Sequence, residues 1–379
     1  MKEDAWHYPR ENLAARTLNA LVEGPAKALT LFAPRRTGKT EFLTKDLTPY
    51  AEGKGHKVVY ISFWRAPLSP LALILYSLEV TLKSKTITGR IGSVASILKP
   101  KLKLSAPIGG AKAEAEIDLS SLKGEPPAEL ILYLDNLLAR LENRKKPTLL
   151  LFDEVQELAK DKNNRSLVAS LRTSLDTRDT GLKSVFTGSS REGLKAMFSE
   201  AEAPFFHFGT SLDLEPLDER FVDHQLKVFE RTTKQKLGRD AALTAFNELH
   251  ESPYFFRALI ELLTLRVDLT IDEGLVLLRE QMAEKSGYAG LWLKLTDIQR
   301  ATVVQLAHGA DKPFSKATRD EIGQSLGVEP PSIDKVQSAL RRLTGLGIVD
   351  RWSGDWIIED PEFSMWVRTQ IKDKPYKTL

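Results

Sequence analysis

The sequence contains no cysteine and no long run of apolar residues. Without cysteine there is no disulfide and no thiolate metal site, and the six scattered histidines lack the helical pairing of a histidine-only site. No stretch approaches the roughly twenty consecutive apolar residues of a membrane helix. Residues 1–10 are charged and aromatic, unlike a signal peptide. We therefore expect a cytoplasmic protein with no membrane partner and no structural metal.

The chain also lacks an excess of charge of one sign. Its 54 basic and 51 acidic side chains leave a net charge of +3, which does not by itself indicate a nucleic-acid partner. Any DNA-binding surface must therefore be local. With 379 residues, 42% of them hydrophobic, the chain is long enough for two or three globular domains.

A phosphate-binding pattern follows the first apolar run, residues 28–32, which predicts a strand. Residues 33–40 fit G-x-x-x-x-G-K-[ST] except that Ala33 replaces the first glycine, where we expect a somewhat altered loop. Backbone N–H groups of such a loop surround phosphates, Lys39 would reach the β and γ oxygens, and the Thr40 hydroxyl would ligate Mg²⁺. An ordinary basic loop before a helix is the alternative. The predicted nucleotide-binding residues are Pro34, Arg35, Arg36, Thr37, Gly38, Lys39, Thr40 and Glu41.

A second apolar run, residues 148–152, ends in Asp153 and Glu154. This pattern predicts a buried parallel strand with two acids at its carboxyl end. We expect Asp153 to hold the metal and Glu154 to polarise the attacking water, since phosphoryl transfer to water requires both functions.

A third run, residues 184–187, is followed by Gly188 and Ser189. Ser189 would contact the γ-phosphate or the lytic water, and the alternative is a serine that caps a helix after an ordinary turn. The pattern predicts an α/β fold with a doubly wound parallel sheet that binds nucleotide at its carboxyl edge. The predicted strands are 28–32, 57–63, 148–152, 184–187 and 205–208.

Together these motifs resemble the archaeal-type ATPases, which are AAA+/STAND-like P-loop proteins similar to origin-recognition initiators. The resemblance is carried by residues 8–11, 34–40, 153–156, 187–190 and 360–363 with Trp366, and so spans nearly the whole chain. It implies ATP binding and Mg²⁺-dependent hydrolysis by an ATPase core, followed by an all-helical lid and a C-terminal winged helix. It also implies that Tyr8, Pro9 and Arg10 lie near the adenine.

The resemblance and the helical spacing of apolar residues together predict three domains: an ATPase core at 1–217, a lid at 218–290 and a winged helix at 291–379. Within the lid, Pro253 as a nucleotide contact and Arg257 as a phosphate sensor are rival assignments. A helix that begins with proline in its first turn is the alternative.

An arginine acting on the nucleotide of a neighbouring subunit is expected if the protein is a homo-oligomer. Arg172, Arg178 and Arg191 are the candidates, and Arg191, just after the third strand, is the best placed by analogy. Each of them is alternatively a solvated surface residue.

Residues 82–125 form an insertion before a helical pattern at 128–141. Residues 82–107 contain six basic and no acidic side chains, and residues 101–108 and 111–119 alternate around Gly109 and Gly110. This pattern predicts a basic β-hairpin that contacts a phosphate backbone or a neighbouring subunit. The alternative is a mobile solvated loop, and the acidic residues of the second strand weaken the nucleic-acid interpretation.

The C-terminal pattern predicts a winged helix-turn-helix. We expect a helix at 296–307, a short helix opened by a capping box at Thr318 and ending at Leu326, a helix at 333–346 capped by Ser332, and a wing at 348–358. Basic and acidic residues are nearly balanced in this segment. Contact with double-stranded DNA and contact with protein therefore both remain open.

Two function classes follow. In the first, the ATP cycle drives a DNA-associated assembly in a mobile-element, replication or defence role. In the second, the protein is a STAND-type nucleotide-gated signalling switch, whose winged helix is autoinhibitory or binds an unidentified partner protein. Stimulation of hydrolysis by DNA, with salt sensitivity, separates the two.

Overall fold

The computed structural model describes residues 4–64, 69–83, 101–108, 111–118, 124–189, 197–198, 203, 205–285, 287–310, 312–352 and 355–371. These form two compact units. The first, which we call the sheet unit, consists of Pro9–Ala33 and Lys39–Leu214. The second, the C-terminal unit, consists of Met1–Tyr8, Pro34–Gly38 and Glu215–Leu379. The predicted three-domain division, with boundaries at 217 and 290, stays a prediction.

The strands are β1 (Ala28–Phe32), β2 (Val58–Ser62), β3 (Lys101–Ile108), β4 (Ala111–Asp118), β5 (Thr148–Asp153), β6 (Leu182–Gly188), β7 (Thr210–Ser211), β8 (Val349–Trp352) and β9 (Asp355–Ile358). The helices of the sheet unit are α1 (Glu11–Val22), α2 (Lys39–Glu41), α3 (Thr48–Gly53), α4 (Pro70–Lys83), α5 (Ala128–Leu141) and α6 (Arg165–Thr177). A π-helical segment, Phe42–Leu47, joins α2 to α3, and a 3-10 segment, Val155–Lys160, follows β5.

The helices of the C-terminal unit are α7 (Glu219–Thr233), α8 (Arg239–Glu248), α9 (Pro253–Leu265), α10 (Ile271–Lys285), α11 (Tyr288–Leu293), α12 (Asp297–Ala307), α13 (Lys316–Leu326), α14 (Ile333–Gly345) and α15 (Pro361–Ile371). The unit also contains the strands β8 and β9.

The sheet unit is built on a five-stranded parallel sheet in the order β2-β5-β6-β1-β7. All six residues of β5 are buried, as expected of a strand covered on both faces. Leu150 and Phe152 belong to a core with α4, α5 and α6, whereas Leu149 and Leu151 belong to a core with α1, α3 and the π-helical segment. Side chains alternate between the faces of a strand, so helices cover both faces and the predicted doubly wound α/β fold is confirmed.

The predicted strand at 205–208 is wrong. The edge strand is Thr210–Ser211, which pairs with β1, and the backbone just before it turns, because the Phe208 N–H donates to the Phe205 carbonyl at 2.9 Å. Phe205 and Phe208 instead pack their rings against Phe186. The apolar run therefore marks a buried aromatic cluster rather than a strand.

The predicted lid is helical from α7 through α10. Asp218 caps α7 by accepting a hydrogen bond from the N–H of Arg220, and Pro253 is the first residue of α9. Aromatic residues of these helices form one core in which Phe221, Phe246 and Phe256 contact one another with ring centroids 5.3–5.8 Å apart.

The last elements follow the order expected of a winged helix: three helices, α12 to α14, and then the antiparallel pair β8–β9. Ser332 caps α14 as predicted. The predicted capping box at Thr318 is wrong, because Ser315 caps α13 and accepts from the N–H of Thr318, which lies one turn inside the helix. The helix ends at Leu326 before Gly327, whose φ of 67° suits glycine.

The predicted hairpin is confirmed in its strands: β3 and β4 pair antiparallel in a register that joins Lys101 to Asp118 and Ile108 to Ala111. Gly109 and Gly110 lie outside the described residues. The helix predicted at 128–141 is α5. Over the part of the chain that the structure describes, no helix combines the length and the apolar character needed to span a membrane.

Candidate nucleotide-binding site

The P-loop begins at the end of β1, where the Ala33 N–H donates to the Gly188 carbonyl at 3.4 Å. Lys39, only 4% exposed, donates through Nζ to the Ala33 carbonyl at 2.7 Å. Positive φ angles occur at Arg36 (66°) and Gly38 (94°) and not at Ala33. The first glycine of the motif is therefore replaced without backbone strain, since a positive φ is what an alanine resists.

The two predicted metal ligands lie together. Asp153, 2% exposed at the end of β5, accepts a hydrogen bond through Oδ2 from the Thr40 hydroxyl at 2.8 Å. The same oxygen accepts from the Tyr60 hydroxyl at 2.7 Å, and Oδ1 accepts from the Thr187 hydroxyl. Sheet pairing explains this arrangement, because β2 and β6 both run parallel to β5 and end beside it.

This arrangement fits Mg²⁺. Thr40 and Asp153 offer a hydroxyl and a carboxylate, which are the hard oxygen ligands that this ion prefers. Among the described residues there is no cluster of three or more His, Cys, Asp or Glu that would hold a metal unaided. A site with so few protein ligands is typical of Mg²⁺ that is also held by substrate phosphates and water.

Glu154 follows Asp153 in a left-handed conformation, with φ 58° and ψ 47°. It is 6% exposed, and its Oε2 accepts from the Ser189 hydroxyl at 2.7 Å and from the Gln156 amide. The predicted residues Glu154 and Ser189 are thus in direct contact. Their predicted roles in hydrolysis remain predictions, as does the role of Lys39.

Lys39, Thr40 and Glu41 form the first turn of helix after the P-loop, where backbone N–H groups and the helix dipole favour an anion. Glu41 lies on the outer side of this turn, because its carboxylate pairs with Lys45 one turn later at 2.7 Å. Its predicted contact with nucleotide is not tested.

Within the C-terminal unit, Arg36 makes contacts that the sequence did not reveal. Its guanidinium lies 2.7 Å from Glu362 and 3.8 Å from Asp360, both at the start of α15, and 4.6 Å from the centre of the Tyr254 ring. Burial lowers the pKa of Arg36, but Glu362 and Asp360 outweigh it and raise the pKa above the ordinary value. The Tyr288 hydroxyl donates to Asp360 at 2.6 Å and to Glu362 at 3.2 Å.

Three residues of the C-terminal unit, Tyr8, Pro253 and Arg257, are predicted to contact nucleotide. The Tyr8 ring packs edge-on against Phe221 and His224, with centroids 6.0 and 5.5 Å apart. Pro253 occupies the first turn of α9, in keeping with an ordinary helix start, and Arg257 lies 4.0 Å from Asp4. These positions do not test either assignment: Pro253 as a nucleotide contact and Arg257 as a phosphate sensor both stay predictions.

The remaining predicted loop residues have local roles. The Thr37 hydroxyl donates to the Pro34 carbonyl at 2.9 Å, which tightens the P-loop, and Arg35 is partly exposed. In the sheet unit, Pro9 precedes Arg10, which stands at the start of α1, where its carbonyl accepts from the N–H of Ala14 at 3.0 Å. Their predicted proximity to adenine is not tested.

Two of the three candidate arginines for action on a neighbouring subunit already have partners within the chain. Arg178 lies 2.8 Å from Asp135, and Arg172 lies 2.6 Å from Asp176 and over the Phe208 ring. Arg191 lies outside the described residues. A role in another subunit's site stays a prediction for all three.

Three residues of the site were not predicted: Tyr60, Thr187 and Gln156. Each carried a weak signal, because a polar residue in or after an otherwise apolar strand needs a hydrogen-bond partner once it is buried. Tyr60 interrupts an apolar strand, Thr187 lies near the end of another, and Gln156 follows the acidic pair. The sequence did not reveal which partners they meet.

Comparison with known proteins gives matches in structure only. No protein-family model matches the chain, and no curated protein matches it. Among solved structures, the Walker-type ATPase PABY2304 of Pyrococcus abyssi is similar, with a TM-score of 0.64 and 16% identity over 97% of both chains. The ORC2 protein of Aeropyrum pernix, solved in ADPNP–ADP complexes, gives a TM-score of 0.52 and 16% identity over 96% of this chain and 93% of its own.

These neighbours define the class of fold. The chain has the fold of a P-loop ATPase of the archaeal Walker-type and ORC kind, which confirms the resemblance inferred from the motifs. At this level of identity the likeness extends to the fold alone.

Proposed function

We propose that this protein binds ATP with Mg²⁺ and hydrolyses it to ADP and phosphate. The contact between Thr40 and Asp153, at 2.8 Å, carries the proposal, because it joins the helix that follows the P-loop to the acidic end of the parallel strand β5. Glu154 stands next to this pair with its carboxylate held by neutral donors. Metal-assisted phosphoryl transfer to water uses a hydroxyl and a carboxylate that hold the metal, here Thr40 and Asp153, and a second carboxylate that accepts the proton of the water, here Glu154.

In the proposed reaction the P-loop and Lys39 bind the phosphates, and Thr40 and Asp153 hold Mg²⁺. Glu154 accepts a proton from the attacking water while the oxygen of that water forms a bond to the γ-phosphorus. The bond between that phosphorus and the β,γ-bridging oxygen breaks, so that ADP leaves and the proton passes to the products. The similar fold of a protein described as a Walker-type ATPase, and of one solved with ADPNP and ADP, supports nucleotide as the ligand.

We further propose that the nucleotide cycle drives a DNA-associated assembly in a mobile-element, replication or defence role. The helix order α12 to α14 followed by β8 and β9 supports this, since winged helices present a helix to the major groove. The basic first strand of the β3–β4 hairpin supports contact with a phosphate backbone. The assembly would be a homo-oligomer, with or without a partner protein.

The test is steady-state ATP hydrolysis by the wild type, by Glu154→Gln and by Glu129→Gln, an exposed control on α5. Each is measured with Mg²⁺ and with EDTA, and then with duplex DNA at low and moderate salt. We expect hydrolysis that requires Mg²⁺, falls about 100-fold or more in Glu154→Gln, persists in Glu129→Gln, and rises with DNA in a salt-sensitive manner. A wild type that hydrolyses nothing, with or without DNA, contradicts the proposal.

A nucleotide-gated switch is the second candidate function, and one observation favours it. Arg36 lies three residues before Lys39 in the P-loop, yet its guanidinium pairs with Asp360 and Glu362 of the C-terminal segment. An arginine of a phosphate-binding loop that is held by carboxylates cannot at the same time neutralise a phosphate. A bound nucleotide and the acidic pair would therefore compete for Arg36.

Two results distinguish the switch from the DNA-associated ATPase. The switch predicts hydrolysis that ignores DNA at every salt concentration, and it predicts that Glu362→Gln tightens ATP binding. The DNA-associated ATPase predicts stimulation by DNA and no tightening. Titration with a fluorescent ATP analogue measures the binding, with Glu280→Gln, an exposed glutamate on α10, as the control.

A further inference from the structure

Gln156 lies in the 3-10 segment that follows β5 and is 3% exposed. Its Nε2 donates to Oε2 of Glu154 and lies 3.4 Å from the Ser189 hydroxyl oxygen. The Ser189 hydroxyl donates to the same Oε2 at 2.7 Å. Two buried side chains therefore converge on one oxygen of Glu154, the carboxylate to which the proposed function gives the role of base.

The chemistry of the partners fixes the direction of these hydrogen bonds. A carboxylate only accepts, so the amide nitrogen of Gln156, and not its oxygen, faces Glu154. The Ser189 proton is directed at Glu154, which leaves a Ser189 lone pair to accept from the second amide proton. The Gln156 amide thus holds both of the other groups, and its own Oε1 has no hydrogen-bond donor among the described residues.

The backbone of Glu154 shows that its position is imposed by its surroundings. Its φ of 58° lies in the left-handed region, which costs a residue other than glycine about 1–2 kcal/mol. Such conformations persist only where neighbouring contacts determine them, and they cluster at functional sites. The amide of Gln156, two residues further on, supplies one such contact, and the Ser189 hydroxyl supplies another.

We propose that Gln156 is a positioning residue for hydrolysis, which fixes Oε2 of Glu154 so that Oε1 is the oxygen presented to the attacking water. Ser189 cannot do this alone if its hydroxyl turns to the γ-phosphate, because it has a single proton to donate. Gln156 has two and keeps its hold on Glu154. The inference rests on the proposed ATP hydrolysis, in which the proton moves from water to Glu154 and none moves from Gln156.

The test uses two replacements of similar length that remove the donor. Gln156→Met has no hydrogen-bonding group, and Gln156→Glu turns an acceptor toward Glu154. We expect Gln156→Met to lower kcat about tenfold or more, because the base loses its orientation, with KM and the Kd for an ATP analogue within about threefold of the wild type. Gln156→Glu should lower kcat further. Gln235→Met, on an exposed loop residue, is the matched control.

The split between kcat and binding separates positioning from a structural role, since a damaged fold would weaken nucleotide binding as well. Equal losses in kcat and in ATP affinity, or a kcat for Gln156→Met within twofold of the wild type, would overturn the inference. Failure of the proposed function is read independently, from the wild type and Glu154→Gln before any Gln156 variant is compared. If the wild type binds ATP without hydrolysing it, the proposed function fails and the catalytic positioning role fails with it.

The contact itself has a readout that does not need hydrolysis. Melting temperatures of Gln156→Met, Glu154→Ala and the double variant form a double-mutant cycle. We expect the two shifts to be non-additive, because each substitution removes the same hydrogen bond. Additive shifts would show that Gln156 does not restrain Glu154, and would overturn the inference even if kcat fell.

Discussion

Each compact unit contains an acidic pair, and the two pairs have different partners. Asp153 and Glu154, in the sheet unit, accept hydrogen bonds from hydroxyl and amide groups. Asp360 and Glu362, in the C-terminal unit, meet the guanidinium of Arg36 as well as the Tyr288 hydroxyl. The contacts of the first pair thus include hydroxyl and amide donors, whereas those of the second include a guanidinium cation.

This difference indicates what each pair does. A carboxylate oriented by neutral donors keeps its negative charge available to a metal ion, so it suits metal-assisted chemistry. A carboxylate paired with arginine already has a cationic partner, so it suits a local stabilising contact or a switch. Hydrogen bonds to neutral donors are therefore a better guide to the candidate site than the density of charge.

The comparison predicts its largest effect for the matched substitutions Asp153→Asn and Asp360→Asn. Asparagine keeps one acceptor oxygen for the hydroxyls around residue 153 but loses the charge that holds Mg²⁺. We expect Asp153→Asn to lower kcat for ATP about 100-fold or more, and Asp360→Asn to lower it less than about threefold. Steady-state hydrolysis over a range of Mg²⁺ concentrations measures both. Equal losses in the two variants would remove the distinction between the pairs.

Much of the sheet, and of the carboxyl edge where the candidate site lies, was predictable because the signals were local. Four predicted strands correspond to β1, β2, β5 and β6, and parallel pairing then brings their carboxyl ends together. This pairing accounts for the contacts of Thr40 with Asp153 and of Ser189 with Glu154, whose roles in hydrolysis stay predictions. Periodicity failed at Phe205 and Phe208, where the apolar residues serve an aromatic cluster and the backbone turns.

The partners of these residues were not predictable, because they depend on register and on contacts distant in sequence. Tyr60 reaches Asp153 across 93 positions of the chain, and only the pairing of β2 with β5 brings them together. Glu362 and Arg36 are further apart still, and no local pattern joins a P-loop arginine to a helix near the C-terminus. At Thr318 the local signal itself was misleading, because Ser315 offers an equally good cap three residues earlier.

A second prediction concerns stability and bears on the C-terminal pair. Glu362→Gln removes the charge opposite Arg36, whose side chain is only 25% exposed and keeps its own charge. Because the pair is partly solvated, we expect a loss of about 1–2 kcal/mol in the free energy of unfolding, less than for a fully buried pair. Thermal or urea unfolding without nucleotide measures it. Glu280→Gln, on an exposed glutamate, should change the free energy by less than about 0.5 kcal/mol.

The outcome of that experiment separates the two interpretations of the C-terminal pair. A loss equal to that of the control would mean that the ion pair between Arg36 and Glu362 does not contribute to the free energy of unfolding. A clear loss in the free energy of unfolding, together with unchanged ATP affinity, would show that the pair only stabilises the fold. That result would argue against the nucleotide-gated switch.

A third prediction uses the two phenols, since each pair receives a hydroxyl from a tyrosine. Burial and the neighbouring Asp360 and Glu362 raise the pKa of Tyr288 well above its ordinary value, so it stays a proton donor at neutral pH. We expect Tyr288→Phe to lower the free energy of unfolding by about 1 kcal/mol and to leave hydrolysis within twofold. Tyr60→Phe should instead lower kcat a few-fold, because it loosens Asp153. Reversed results would contradict the comparison.

The smallest effect is expected at a third carboxylate, Asp135, which has both kinds of partner. Burial raises its pKa, but hydrogen bonds from Ser174 at 2.6 Å and Arg178 at 2.8 Å outweigh burial and hold the pKa below its ordinary value. A lowered pKa in the folded state stabilises the protein above the unfolded-state pKa of about 3.9, and the stabilisation is lost as the pH falls through the folded-state value. Because the side chain of Asp135 is 47% exposed, the contribution should stay below about 1 kcal/mol.

The measurement is urea unfolding of the wild type and Asp135→Asn between about pH 6 and pH 3. The difference in unfolding free energy between the two should be constant near neutral pH and shrink only at the acidic end, since the asparagine does not titrate. A difference that grew as the pH fell would mean that the carboxylate is destabilised by folding. Burial would then outweigh the hydrogen bonds from Ser174 and Arg178 in setting the pKa of Asp135. The contrast between the two acidic pairs would in that case depend on burial and not on the kind of donor that each pair meets.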